Sequence, residues 1–143
     1  MGFEIKRVDV WVGELEDRPG ALSSKLATVF MVGEADLDFV IARPLQEKPG
    51  HGVLYVAPLE SEKQVHAAQD AGLHKAQSVH VLRLEGPDHP GLIAGIAGTL
   101  SQADINVAGL SAAATKRNAI IYVRFVAEED VNKAANVLQK HLG

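Results

Sequence analysis

The 143-residue chain contains no cysteine, and this absence excludes several kinds of site. Disulfide bonds, a thiol nucleophile and thiolate-bound metal ions all require cysteine, so none of them is expected. Charged residues make up only 22% of the chain, the formal net charge is −4, and lysine and arginine form no cluster. A negatively charged protein without a basic patch is not drawn to nucleic acid by its charge, so no direct nucleic-acid partner is expected.

Long apolar runs are also missing, so no membrane-spanning helix is expected. The first seven residues, MGFEIKR, carry charges where a signal peptide needs its apolar stretch. The apolar fraction of 47% is typical of a globular protein. These features predict a soluble protein of the cytoplasm.

The chain contains an internal repeat. The segment DRPGAL at 17–22 recurs 71 residues later as DHPGLI at 88–93. Two more matches follow at offsets of 68 and 67 residues: ADLDF at 35–39 with ADINV at 103–107, and VLYV at 53–56 with IIYV at 120–123. The shrinking offset predicts two copies of one fold that differ in loop length, with extra residues in the first copy around 31–34.

Each copy has the pattern strand, helix, strand, strand, helix. In the first copy Val8, Val10 and Val12 alternate with polar or aromatic neighbours, which predicts a strand. After the Asp-x-Pro-Gly segment, apolar residues recur at helical spacing at positions 22, 26, 29 and 30. Pro19 and Pro90 suit the first position of a helix, with the preceding aspartate as its cap.

Turn and cap signals place the remaining elements. Hairpin turns are predicted at 47–50 and at 116–118. Ser61 and Gln64 form a capping-box pattern for a helix that ends at Gly72. In the second copy, residues 131, 134, 135, 138 and 142 form the apolar stripe of the last helix.

The second copy ends with its second helix and leaves no room for a closing strand. Residues 3–14 and 74–85, however, are each long for one strand. We therefore expect shared strands: residues 3–7 close the second copy, and the first half of 74–85 closes the first. The two units are assigned to 1–73 and 74–143, and they are expected to fold as one cooperative body with approximate two-fold symmetry.

This order of elements, with Asp-x-Pro-Gly between the first strand and helix, resembles the ACT domain twice over, most clearly at LSQADINV, residues 100–107. The resemblance implies an α+β, ferredoxin-like βαββαβ fold in two tandem ACT-like units. It is closest in kind to stand-alone paired ACT proteins such as glycine-cleavage repressor-like regulators. It implies a non-catalytic regulator, a homodimer, that binds a small amino acid between ACT units and acts on a metabolic enzyme or a transcription regulator.

The resemblance also implies the residues of the site. In the family the loop before the first helix holds the ligand, and the start of the second strand of a neighbouring unit completes the site. The matching residues in the second copy are Asp88, His89, Gly91, Leu92, Ile93 and Asn106; in the first copy they are Asp17, Arg18, Gly20, Ala21, Leu22 and Asp38. Asp38 stands where the asparagine is expected, which is a departure from the family's pattern.

These residue types suit an amino acid physically. Free N–H groups at a helix start attract a carboxylate, glycine lets the backbone approach it, and an aspartate holds an ammonium group. Structural roles compete with this interpretation. Asp17 and Asp88 suit helix caps, His89 suits an exposed loop, and Asn106 suits an edge-strand surface.

No catalytic site or cofactor site is predicted. The six histidines show no metal-binding pair, and Ser111 lacks the surroundings of a nucleophile. Two alternatives to the sensor remain. One is an oligomerisation or adaptor module without a ligand, and the weaker one is an enzyme that uses Asp88 and His89.

Overall fold

The computed structural model describes residues 2–142. The chain divides into two compact units. The first unit is Asp9–Ala76, and the second unit joins Met1–Val8 to Gln77–Gly143. Each unit has one four-stranded antiparallel sheet and two helices. The α+β class and the ferredoxin-like pattern predicted from the sequence are therefore confirmed.

The first unit runs through strand β2 (Trp11–Glu16), helix α1 (Ala21–Ala27), a π-helical turn (Thr28–Val32), strands β3 (Phe39–Pro44) and β4 (His51–Ala57), helix α2 (Glu62–Asp70) and strand β5 (His74–Lys75). Its sheet has the order β3-β4-β2-β5. Trp11 and Leu15 on β2 and Leu54 and Val56 on β4 belong to its core, so Trp11, not Val12, lies on the buried face. The alternating valines mark this strand only in part, because Val12 alone of the three belongs to it, and Val12 lies off the buried face.

The second unit contains strand β1 (Glu4–Val8), strand β6 (His80–Pro87), helix α3 (Leu92–Gln102), strands β7 (Gly109–Thr115) and β8 (Asn118–Phe125), and helix α4 (Glu128–Leu142). Its sheet has the order β1-β6-β8-β7. Helix α4 buries Val131, Ala134 and Leu138 completely, as its apolar stripe predicts.

In each unit the closing strand comes from the segment that precedes the first strand of the other unit in sequence. Strand β1 pairs antiparallel with β6 from Glu4 opposite Glu85 to Val8 opposite Val81. Phe3 and Ile5 pack against the core of the second unit, although more than seventy residues separate them from it in sequence. Strand β5 pairs with β2 only at Trp11 and Val12. The expectation of shared strands is confirmed.

The Asp-x-Pro-Gly segments do not start their helices as the sequence predicted. Gly20 and Gly91, not the aspartates, occupy the N-cap position, with φ of 88° and 83°, and no side chain caps either helix. The N–H of Leu92 donates to the carbonyl of His89 at 3.2 Å, which closes a four-residue turn. Proline followed by a positive-φ glycine is the signature of a type II turn, so the proline lies in this turn and not in the helix.

Other local signals act as the sequence predicted. The Ser61 hydroxyl accepts from the Gln64 N–H, and the Gln64 side chain accepts from the Ser61 N–H, which completes the capping box of α2. Gly72 ends this helix with φ of 85°. The hairpin turns lie between β3 and β4 and between β7 and β8.

The first unit carries one extra residue in its first helix. Gly20 and Gly91 are 71 positions apart, whereas Glu34 and Asp104, both with φ of 60°, are 70 apart. A π-helical turn accommodates a single inserted residue, and one lies between these points at Thr28–Val32. The insertion therefore belongs to this turn, slightly earlier than the sequence indicated.

The π turn also rotates side chains away from the predicted stripe. Val29 is completely buried, but Phe30 is 61% exposed. Met31 and Val32 are exposed as well, and Leu22 at the other end of the stripe is 38% exposed. Phe30 does not share the buried face of Val29, because regular α-helical spacing does not hold through residues 28–32. Leu22 lies before this turn, in the regular helix α1, so the turn does not account for its exposure.

None of the helices within residues 2–142 has the length and apolar character needed to cross a bilayer.

Candidate ligand-binding site

The two Asp-x-Pro-Gly loops are held in the same way in both units. The backbone N–H of Asp17 donates to the carbonyl of Gly50 at 3.0 Å, and that of Asp88 donates to the carbonyl of Arg117 at 2.7 Å. Each bond ties the loop to the hairpin turn of its own sheet. The position of the aspartate backbone is thus fixed, while its carboxylate is not used as a helix cap.

The residue after each aspartate folds onto the turn. His89 Nδ1 lies 3.0 Å from the Pro90 carbonyl, and Arg18 Nη1 donates to the Pro19 carbonyl at 3.3 Å. Arg18 also pairs with Glu16. The pKa of the Glu16 carboxyl lies below its ordinary value because Arg18 donates a hydrogen bond to it and adds a favourable charge. Both loop side chains therefore contact the proline carbonyl of their own turn.

The helix starts behind these turns keep free donors. In α3 the first α-helical bond runs from the Gly95 N–H to the Gly91 carbonyl, so the N–H groups of Ile93 and Ala94 precede it. No side chain caps this helix, and a Cβ placed on Gly91 would meet no atom within 4 Å. The start of α3 is therefore open to an anion, which the helix dipole favours. Leu92 is buried and Ile93 is half-buried beneath this surface.

Asn106 does not lie near this loop within the second unit. It lines a cavity of about 380 Å³ with Ser101 and Asp104, at the opposite end of α3 from Asp88. A helix of 11 residues is about 16 Å long at 1.5 Å per residue. One unit therefore does not bring Asp88 and Asn106 to a single small ligand.

In the first unit three of the predicted residues share a cavity. Asp17, Arg18 and Leu22 line a space of about 190 Å³ together with the end of β3 at Ala42–Pro44. Ala21 is 8% exposed. Gly20 provides the positive φ of the turn.

The structural alignment of the two units changes the residue to which Asp38 is equivalent. Its N–H donates to the Ala57 carbonyl at 2.9 Å, as the N–H of Ala108 does to the Arg124 carbonyl at 2.8 Å. Asp38 is therefore equivalent to Ala108, and Asp36 is equivalent to Asn106. The sequence match of 35–39 with 103–107 was wrong by two residues, because it placed three extra residues before the second strand where the structure has one.

A charged cluster on the second sheet was not found from the sequence. Arg83 is 8% exposed and contacts Glu85 at 2.9 Å and the Tyr122 hydroxyl at 3.2 Å. Burial alone lowers the pKa of the Arg83 guanidinium, but the hydrogen bonds to Tyr122 and Glu85 outweigh it and the pKa is raised. Hydrogen bonds from Asn118 and then from Arg83 lower the pKa of Glu85. The only sequence sign was an arginine between apolar strand residues.

Within residues 2–142 no group of three histidine or carboxylate side chains is placed to hold a metal ion.

Comparison with known proteins adds a family and a set of structural neighbours. The family model of the ACT domain matches residues 80–143, which confirms the resemblance recognised in the sequence for the second copy. No curated protein matches the chain by sequence.

Solved structures share the fold of both units. Protein BT0572 from Bacteroides thetaiotaomicron is 18% identical with a TM-score of 0.77, and the match covers 96% of this chain and 90% of that one. The ligand-free regulatory subunit of aspartate kinase from Thermus thermophilus is 11% identical with a TM-score of 0.62, over 98% of this chain and 96% of that one. Aspartokinase III from E. coli, in complex with aspartate and ADP, is 14% identical with a TM-score of 0.52, over 96% of this chain but 32% of that one. At these identities the likeness shows the fold.

Proposed function

We propose that this protein is a non-catalytic regulator that binds a small amino acid at the Asp-x-Pro-Gly loop of an ACT unit. The observation that carries the proposal is the uncapped start of α3 behind the Pro90-Gly91 turn, in a segment that matches the ACT domain. The amino acid's carboxylate would accept from the N–H groups of Ile93 and Ala94. Its ammonium would donate to Asp88, whose carboxylate does not cap the helix.

A neighbouring unit is expected to complete this site. Asn106 carries an acceptor and two donors, so it suits both charged groups of the ligand. Because it lies a helix length from Asp88, it serves the loop of another unit and not its own. Two units from the different chains of a homodimer would supply this arrangement.

The strength of such a site follows from its few hydrogen bonds. Each contributes a net of about 0.5–1.5 kcal/mol, and somewhat more when a partner is charged. Four or five of them support a dissociation constant of roughly micromolar to millimolar. This range suits a protein that reports the concentration of a metabolite.

Binding would be transmitted through the contact between units. A ligand that bridges two units favours one arrangement of them, which couples the ligand to the next partner. The likeness of the fold to a regulatory subunit of aspartate kinase supports a regulatory role. The partner is proposed to be a metabolic enzyme or a transcription regulator.

The first unit is proposed as a weaker site. Asp17, Arg18 and Leu22 share a cavity there, but Arg18 is already paired with Glu16. Asp36, the residue equivalent to Asn106, has no donor when ionised. An aspartate at that position binds the ammonium of a ligand and repels its carboxylate.

A thermal-shift panel of the twenty amino acids at millimolar concentration tests the proposal. A ligand at a hundred times its dissociation constant adds about 2.7 kcal/mol to the free energy of unfolding. We expect a shift with one or a few small amino acids, abolished by Asn106→Ala and kept in the control variant Asp38→Ala. If no amino acid raises the melting temperature, the sensing role is rejected.

One observation favours a second candidate, an adaptor that assembles without a ligand. Strand β7 is an edge strand, its residues Leu110–Thr115 are exposed, and it carries no charge or proline. Such an unprotected edge readily pairs with another strand. Light scattering of the chain without amino acid separates the candidates: a dimer whose stability no amino acid changes favours the adaptor.

A further inference from the structure

A second cleft of about 490 Å³ lies in the first unit. It is bounded by residues 14–16 of β2, by one face of α1, by Ala71 at the end of α2, and by Arg18 and His51. We call it the Lys25 cleft, because the half-buried Lys25 projects into it from α1 and donates to the Ala71 carbonyl at 2.7 Å. Its volume is in the range of small-molecule sites, about 300–1,000 Å³.

Free backbone groups line this cleft. Asp17 donates toward β4, to Gly50, while the carbonyl of Val10 accepts from Ala76 on the other side. Along a strand the backbone N–H and C=O groups of successive residues point to opposite sides. The N–H and C=O groups of Glu14 and Glu16 therefore point away from β4. Strand β5 ends opposite Val12, so within residues 2–142 no strand pairs with β2 beyond that point on this side.

The second unit shows how the equivalent edge is covered. There β1 pairs with β6 as far as Glu85, the counterpart of Glu14. A Cβ placed on Gly86 would meet the ring of Phe3 at 2.7 Å, so Phe3 fills the space beyond. In the first unit the chain after α2 joins the sheet only at His74, opposite Val12, and the matching space is the Lys25 cleft.

The charges around the cleft leave one cation unbalanced. Glu14 is paired with Lys48 at 3.2 Å and Glu16 with Arg18. Within residues 2–142 no carboxylate lies within ion-pair distance of Lys25, whose ammonium has used one of its three donors on Ala71. A half-buried cation beside unpaired backbone N–H groups attracts an anion.

We propose that the Lys25 cleft binds a small organic carboxylate, with the carboxylate on the Lys25 ammonium and the body of the molecule along the free edge of β2. Backbone N–H and C=O groups of Glu14 and Glu16 would pair with an amide or another polar group of the ligand. The Ser24 hydroxyl, which lines the same cleft, adds a donor. This site is separate from the α3 start. Arg18 lines both this cleft and the cavity of the weaker amino-acid site proposed in the first unit, but the carboxylate site does not rest on that proposal.

N-acetylglycine is a suitable probe, because it has a carboxylate and an amide but no ammonium. The full chain labelled with ¹⁵N is titrated with it and followed by amide chemical shifts. We expect shifts at residues 14–16, 24 and 25, with binding weakened about tenfold or more in Lys25→Gln and retained in Lys25→Arg. Lys63→Gln is the matched control, because this exposed lysine of the same unit is paired with Glu34.

Two outcomes would overturn the proposal. One is the absence of saturable shifts at these residues, or shifts that Lys25→Gln leaves unchanged. The other is an equal response to inorganic phosphate, which would show a general attraction of anions and no recognition of a carboxylate. This titration is decided independently of the Asp88 site, because N-acetylglycine lacks the ammonium that the Asp88 site requires.

Discussion

Replacement of Ile5 by alanine should destabilise the second unit, most of which begins more than seventy positions later, at Gln77. Ile5 is half-buried on β1 and packs against the core of the second unit. A fully buried isoleucine loses about 2–5 kcal/mol when it is truncated to alanine. For a half-buried one we expect a loss of about 1–2 kcal/mol in the free energy of unfolding, or roughly a fivefold to thirtyfold change in the unfolded population.

Amide hydrogen exchange measures this loss of stability separately for each strand. Exchange at Ile121 and Val123 on β8 should accelerate by the same factor, because these amides open when the second unit opens. Lys6→Ala is the matched control, since Lys6 is exposed on the same strand and the backbone pairing is kept. Unchanged β8 exchange in Ile5→Ala, with acceleration confined to β2 and β4, would refute the assignment of β1 to the second unit.

Three further predictions follow from single positions. Met31→Gln should change the free energy of unfolding by less than about 0.5 kcal/mol because Met31 is 72% exposed, whereas Val29→Ala, at a fully buried position beside it, should cost about 1–3 kcal/mol in a urea melt. Gly91→Ala should lower the free energy of unfolding by about 1–2 kcal/mol through its positive φ alone. Gly98→Ala, in the interior of α3 with open space around it, should raise the free energy of unfolding by about 0.5–1 kcal/mol. Thermal melts of the two variants should therefore shift in opposite directions. Because hydrogen bonds from Asn118 and Arg83 hold the folded-state pKa of Glu85 below its ordinary value, its stabilising contribution is present above the unfolded-state pKa and is lost as the pH falls through the folded pKa. Glu85→Gln should therefore flatten the fall in melting temperature on acidification.

Most of the fold could be predicted from the internal repeat and from the residues that form its turns. Two Asp-x-Pro-Gly segments, the Ser61–Gln64 capping box and the hairpin turns located the elements, and the length of 3–14 and 74–85 predicted the shared strands. Each of these signals is local, or a comparison of the chain with itself. They therefore did not depend on knowing which surfaces meet.

The errors have physical causes of their own. The π turn inserts one residue without a marked sequence signal, so the helical spacing failed at Phe30 and the match of Asp38 to Asn106 was wrong by two residues. The preference of Pro-Gly for a type II turn prevailed over the preference of proline for a helix start. The cleft around Lys25 was not predictable, because β2, α1 and α2 meet there only in the folded chain.

An amide-shift titration with the amino acid that most raises the melting temperature tests the central claim most directly. The account predicts saturable changes at residues 88–94 and at the Asn106 side chain, lost together in Asp88→Asn. Binding that leaves these signals unmoved, or an Asp88→Asn variant that binds as tightly as the native chain, would contradict it.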